Sequence, residues 1–334
     1  MLKIGYCAAH EQFQPVQLLE YAVEAERAGF DSVWASDHFH PWAHTNAASG
    51  FTWAWMAALG ERTEKIEIGT AVTCPFLRYN PAIVAQAFAT LRAMYPERIF
   101  IGVGTGEAMN EIPVGCTWPS FRQRVERLEE SLRIMKLLWS EKFVSFKGKY
   151  YQLRKANLYT KPATPPPIFV AASGATVARL AGRYADGLLT IPTNEQIYRD
   201  KIFPALNEGA RSVGRDPEQI TKAVEVWASY DEDYSKALKA ARFWAACLLP
   251  GMLKYPIYDP REIEEHGNFV GDEQIAKYRM IGTKPEDHIK HIEKYVKLGF
   301  KHVYFLSSGP DEIKTIRMYG KHVLPYLHST YAET

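Results

Sequence analysis

Residues 36–44 read SDHFHPWAH and put three histidines within seven positions, beside an aspartate and a tryptophan. Such a stretch can hold a metal, move a proton, or do neither. Alternate residues of an extended segment point to one side, so His38 and His40 would supply two metal ligands. A metal needs more than two, and the other polar strand-end stretches, AASGAT, TIPTNE and LSSGP, bring no histidine. The sequence therefore implies no metal. Proton transfer suits the residues better, because a neutral imidazole accepts a proton near neutral pH. Asp37 stands ready either to orient His38 or simply to cap its loop. Glu107, within IGVGTGEAMNE, is a second candidate acid or hydrogen-bond partner, with a structural salt bridge as its plainer role.

Residues so far apart need a scaffold that brings them together. Eight short β-branched or apolar runs recur along the chain: LKIGYC, SVWAS, IEIGTAV, RIFIGVG, PIFVAA, GLLTI, AVEVWASY and HVYFLSS. Between them lie stretches with apolar residues at three- and four-residue spacing, several of them ending in Gly or meeting Pro. Eight alternations over 334 residues predict a single α/β domain, a (β/α)8 TIM barrel over 1–334. Two segments break the alternation. Residues 143–160 alternate at period two around Lys147-Gly148 and predict an inserted hairpin. Residues 250–281, rich in Tyr, Pro and charge, predict a lid-like insertion before the last βα unit.

In such a barrel chemistry gathers at the C-terminal ends of the strands. Asp37, His38, His40 and Trp42 follow the second strand, Thr73 and Cys74 the third, Glu107 the fourth and Ser173-Gly174 the fifth, while Trp227 lies on the seventh. Gly102, Gly104 and Gly106 suggest a dinucleotide fingerprint, but their spacing is G-x-G-x-G and Glu107 would repel a pyrophosphate. They better suit the close approach of a flat ring. Ser173-Gly174, at a strand-to-helix junction, could hold one phosphate, or be only a helix start. Trp53 and Trp55 fall on a helix and read as packing, whereas Trp42 and Trp227 could support a substrate or a ring.

Composition narrows the classes further. With a formal net charge of +2 and no basic run, neither nucleic acid nor an anionic membrane is an expected partner. Cys7, Cys74, Cys116 and Cys247 lack CxxC spacing, so no zinc ribbon or disulfide framework is indicated. The N-terminus carries no leader pattern and no run reaches the ~20 apolar residues of a membrane span, which makes a cytoplasmic protein the expectation.

The stretches SDHFHPW, RYNPAIVAQAFAT, YPERIFIGVGTGEAMNE and EGARSVGRDP, with the strand order, resemble the luciferase-like (β/α)8 barrel enzymes over essentially the whole chain. DHF-x-PW with GTGEA-x-NE is similar to the branch that uses the deazaflavin coenzyme F420. Within it the resemblance is to the secondary alcohol dehydrogenase of methanogenic archaea, through HFHPW, Trp227 and RFWAACLLPGMLKYPIYDP, and next to the glucose-6-phosphate dehydrogenases. The latter carry Gln where this chain has His40 and grip the phosphate with basic residues. Of these the lid here keeps Lys254, with Tyr278 at the expected arginine position and Arg279 beside it. A phosphate buried without charge-assisted partners is several kcal/mol less stable, which favours a neutral alcohol or ketone as the small-molecule substrate.

The resemblance implies that His38 takes the hydroxyl proton and that Glu107 faces the cofactor ring. Trp42 and Trp227 would shape the pocket, joined by Glu11, His40 and Lys254. It implies that Asp37, Ala71, Val72, Thr105, Gly106, Ser173 and Gly174 bind the cofactor, with a cis peptide at Ala71-Val72, and that the protein is a homodimer. The alternatives are the sugar-6-phosphate dehydrogenase and, more distantly, an FMN-dependent monooxygenase on the same barrel.

Overall fold

The structure, a computed structural model, describes residues 1–249, 251–252 and 255–332. Its strands are β1 (Lys3–Ala8), β2 (Ser32–Ala35), β3 (Glu67–Thr70), β4 (Ile101–Val103), β5 (Val144–Lys147), β6 (Gln152–Ala156), β7 (Ile168–Ala171), β8 (Gly187–Thr190), β9 (Thr221–Tyr230), β10 (Met280–Gly282) and β11 (His302–Ser307). Eight of them run parallel in the order β3-β2-β1-β11-β9-β8-β7-β4. Parallel bridges Ile68–Ile99 and Thr73–Val103 join the two ends, so the sheet closes into the predicted barrel. Strands buried on both faces explain why the sequence runs are continuously apolar rather than alternating.

A plug of aromatics fills the barrel interior. Trp34 stacks on Tyr304 with ring centroids 4.5 Å apart and meets Phe100 at 4.4 Å, and Phe100 meets Phe169 at 5.5 Å. These rings fit because their neighbours are small. A Cβ at Gly69 would stand 2.1 Å from the Phe100 ring, and one at Gly5 would stand 2.7 Å from both Trp34 and Tyr304. The plug seals the barrel from below, so the cleft above it opens only toward the C-terminal strand ends.

The helices expected around the outside of the barrel are present, two of them in pieces. Residues 195–211 form a short helix, a π turn Tyr198–Ile202 and the helix Phe203–Arg211. Tyr319–Val323 is likewise a π turn before Leu324–Thr330. In both cases a proline, Pro204 or Pro325, follows the break; it has no N–H and cannot continue the regular ladder.

Two segments stand apart from the barrel alternation. Strands β5 and β6 pair antiparallel as a hairpin. The segment before β10 holds two short helices, Pro260–Gly267 and Asp272–Tyr278, the first capped by Asp259 accepting from the Arg261 N–H. Glu264, on the first helix, accepts from the His44 and Thr45 N–H groups at 2.8 and 2.9 Å, which ties this segment to the loop after β2. Among the described residues no helix is long and apolar enough to cross a membrane.

One buried acid yields a stability prediction. Glu312 lies against Tyr6 within the core, and burial above all pushes its carboxyl up to about 7. A carboxyl that holds its proton more tightly when folded favours the native state at low pH, and this advantage is lost as pH rises from about 4.5 toward 7. Glu312→Gln should therefore raise stability at pH 8 by about 1–3 kcal/mol and change little at pH 4.5, measured by urea unfolding at both values.

Candidate functional site

At the C-terminal end of the barrel a cleft of about 360 Å³ opens between the loops. The sequence-predicted residues Glu11, Asp37, His38, Trp42, Ala71, Val72, Thr105, Gly106, Glu107, Ser173 and Trp227 all line it. They come from separate strand ends, and the parallel register brings those ends level.

His38 is at the centre. Its Nδ1 lies 3.0 Å from the His40 carbonyl, which only accepts, so Nδ1 carries the hydrogen. Nε2 then faces two carboxylates, Glu11 Oε1 at 3.2 Å and Glu107 Oε2 at 3.3 Å. Two carboxylates facing Nε2 favour the protonated ring, so they strengthen its hold on a proton once it has taken one. Burial disfavours the imidazolium, but Glu11 and then Glu107 outweigh it and raise the His38 pKa above 6.5. Glu107 is pushed up by burial, against the pull of His38.

Neutral neighbours hold both carboxylates in place. The Ser36 hydroxyl donates to Glu11 Oε2, and Asn110 Nδ2 donates to Glu107 Oε2 at 3.2 Å. Asn110 lies on the short helix Ala108–Glu111 and its Oδ1 accepts from the Phe39 N–H at 2.8 Å, which fixes the histidine loop. If His38 must be neutral to accept a proton, the acid limb of a kcat/KM profile that depends on it lies above pH 6.5. Glu11→Gln should then move that limb to lower pH, because the larger of the two effects raising His38 is removed.

Several residues do other work than the sequence implied. Asp37 does not touch His38: its carboxylate accepts from the Thr73 hydroxyl at 2.7 Å and the Tyr79 hydroxyl at 3.1 Å and pairs with Arg78 at 2.9 Å. His40 lies outside the cleft lining; its Nδ1 meets the Tyr258 carbonyl at 2.9 Å, so the residue links the loop to the segment before the helix Pro260–Gly267. The alternate-side argument fails here because the loop turns after β2 and is no longer extended. Gly174 caps the helix Ala175–Tyr184 and is likewise outside the lining, whereas Ser173 belongs to it. Lys254 lies outside the described residues. No group of three or more His, Cys, Asp or Glu among the described residues is arranged to hold a metal ion.

The sequence assigns no role to Arg78, Trp244 and Cys247, and marks Arg279 only as standing beside the expected arginine position. Arg78 bonds Glu111 Oε1 at 2.5 Å and the Asp37 carbonyl at 2.6 Å, a buried ion network beneath the histidine loop. Its RYNP context gives no hint of that partner. Trp244 and Cys247 line the cleft with Trp42, Trp227 and Leu306. Arg279, only 1% exposed, completes that wall.

Along the cleft runs a slot of small residues: Ala71, Val72, Gly104, Thr105, Gly106, Ala171 and Ala172. The Ala71–Val72 peptide is cis. A Cβ at Gly104 would stand 2.7 Å from the Val72 side chain, and Gly106 has φ +77°, next to Cys74. The glycines let these strand ends pack closely, and the residues lining the slot are small.

A sequence model of the family described as luciferase-like monooxygenase matches residues 2–302. Among known proteins the chain is similar to the F420-dependent glucose-6-phosphate dehydrogenase of Segniliparus rotundus, at 44% identity over 330 residues and 98% of each chain. The protein of the same name from Mycolicibacterium fortuitum is 44% identical over 329 residues, again 98% of each. Among solved structures it is similar to an F420-dependent secondary alcohol dehydrogenase in complex with an F420-acetone adduct: 46% identity, TM-score 0.93, 97% of this chain and 98% of that one. An F420-dependent tetrahydromethanopterin reductase from Methanopyrus kandleri shares the fold at 22% identity and TM-score 0.80, over 97% and 99% of the two chains.

Proposed function

Because the chain belongs to the luciferase-like monooxygenase family, and its cleft sets a carboxylate-gripped imidazole beside an indole-walled pocket, we propose that it is a coenzyme F420-dependent dehydrogenase of small secondary alcohols. The relatives that share 44–46% of its residues along nearly the whole chain are F420-dependent dehydrogenases by name, which supports the cofactor. The slot over Ala71, Val72, Gly104 and Gly106, lined by small residues, would accept a planar ring. Ala71, Val72, Thr105 and Gly106 would hold that ring and Ser173 the phosphate. Bound there, the deazaflavin supplies a two-electron hydride acceptor.

The remaining work falls to the chain itself. His38 Nε2 accepts the hydroxyl proton as the carbinol carbon loses hydride, and Glu11 and Glu107 stabilise the imidazolium that results. Trp42, Trp227, Trp244 and Leu306 exclude water and favour a small apolar substrate. The observation that carries the reading is His38, held between two carboxylates within this aromatic pocket.

One observation favours a sugar 6-phosphate instead. Arg279 lines the cleft, and its Nε and Nη1 have no hydrogen-bond partner among the described residues. It ranks second because the loop after β8, TIPTNEQIY, adds no lysine, and a phosphate dianion needs several charge-assisted donors. Incubation with oxidised F420 separates the two. Isopropanol should bleach the cofactor's visible absorbance, and bleaching by glucose 6-phosphate but by no simple alcohol would reverse the order.

A further inference from the structure

The substrate pocket's wall is built from one stretch of β9. Glu225 and Trp227 are two residues apart on this strand, so both side chains project to the same side, into the barrel mouth. Across the ladder to β11 they register with Tyr304 and Leu306. The Trp227 indole Nε1 donates to Glu225 Oε1 at 2.5 Å, the short end for a bond to a carboxylate. Tyr304 donates to the same carboxylate and is itself stacked on Trp34 in the rigid plug, 4.5 Å between centroids. Glu225 therefore couples Trp227 to the part of the barrel least able to move.

The opposite side of the indole is also engaged. The Arg279 guanidinium lies 5.1 Å from the Trp227 ring and 5.6 Å from that of Trp244. Trp244 Nε1 in turn donates to Gln12 Oε1 at 3.0 Å. Arg279 ends the helix Asp272–Tyr278 and precedes β10, which pairs with β9, so the segment before β10 joins the barrel at this wall. Burial lowers the Arg279 pKa to about 10, and Glu225 is among the groups that act against this; the buried cation and the buried carboxylate offset each other across the indole. A tryptophan with a free N–H in this wall could rotate, and the pocket's width would change with it.

We propose that Glu225 is a positioning residue for substrate selection: by holding the Trp227 indole N–H it fixes the width of the pocket beside His38. The proposal rests on the alcohol reading for what is selected, but not for whether Glu225 holds the indole. Glu225→Leu removes the acceptor, and Glu225→Gln keeps one. In proton–nitrogen correlation spectra of the protein without cofactor, the indole signal lost in Trp227→Phe identifies Trp227. That signal should sit downfield in the wild type, move upfield in Glu225→Leu and stay near the wild-type position in Glu225→Gln.

In turnover, Glu225→Leu should raise KM for isopropanol about tenfold and reduce the preference for it over cyclohexanol, with the Kd for F420 unchanged. Glu225→Gln should stay within about threefold of wild type on both measures. An indole signal indifferent to Glu225→Leu would overturn the proposal, and so would a moved signal with unchanged KM and size preference. If the wild type oxidises no alcohol, the proposed function fails, and the indole signal with the KM for glucose 6-phosphate decides the role of Glu225.

Discussion

Replacing His38 with alanine is expected to cut turnover by about 10²–10⁴-fold while leaving the Kd for F420 within about threefold of wild type. The asymmetry follows from the geometry. The slot over Ala71, Val72, Gly104 and Gly106 does not depend on the imidazole, whereas the only proton acceptor set between Glu11 and Glu107 is lost. Cofactor fluorescence titration gives the Kd and loss of visible absorbance gives the rate; turnover unchanged by the substitution would remove His38 from its role.

Arg78→Met is expected to destabilise the protein by about 3–5 kcal/mol, because it leaves Asp37 and Glu111 buried and charged without their cation. Burial disfavours the Arg78 charge, but Asp37 and then Glu111 outweigh it, so the guanidinium stays protonated throughout the working range. Arg78 also bonds the Asp37 carbonyl, one residue before His38, so the loss should reach the site as well as the fold. Urea unfolding measures the stability. An unchanged midpoint would contradict this, because removing the cation alone leaves both carboxylates buried without their partner.

The eight barrel strands were readable because each is buried on both faces and so forms a compact apolar run. The π turns were not, since a proline inside a helical pattern predicts a break and not how the chain absorbs it. The two short helices before β10 were hidden by a segment whose Tyr, Pro and charge content resembles a loop. At the site, His38, Glu107 and Trp42 could be picked out because strand-end position and residue type pointed the same way. Arg78 and Asn110 could not: their partners, Glu111 with Asp37 and Glu107 with the Phe39 N–H, are defined only once the loops after β2 and β4 pack together. His40, which the resemblance placed in the pocket, turns instead toward the Tyr258 carbonyl and lies outside the cleft lining.

The central claim is that hydride passes in this cleft from the carbinol carbon of a secondary alcohol to F420. Isopropanol deuterated at its central carbon tests it most directly, with the reduced cofactor analysed by mass spectrometry. One deuterium per reduced F420 is the predicted result, at a rate that collapses in His38→Ala. Deuterium released to water, or a cofactor reduced by labelled glucose 6-phosphate and never by the alcohol, would contradict it.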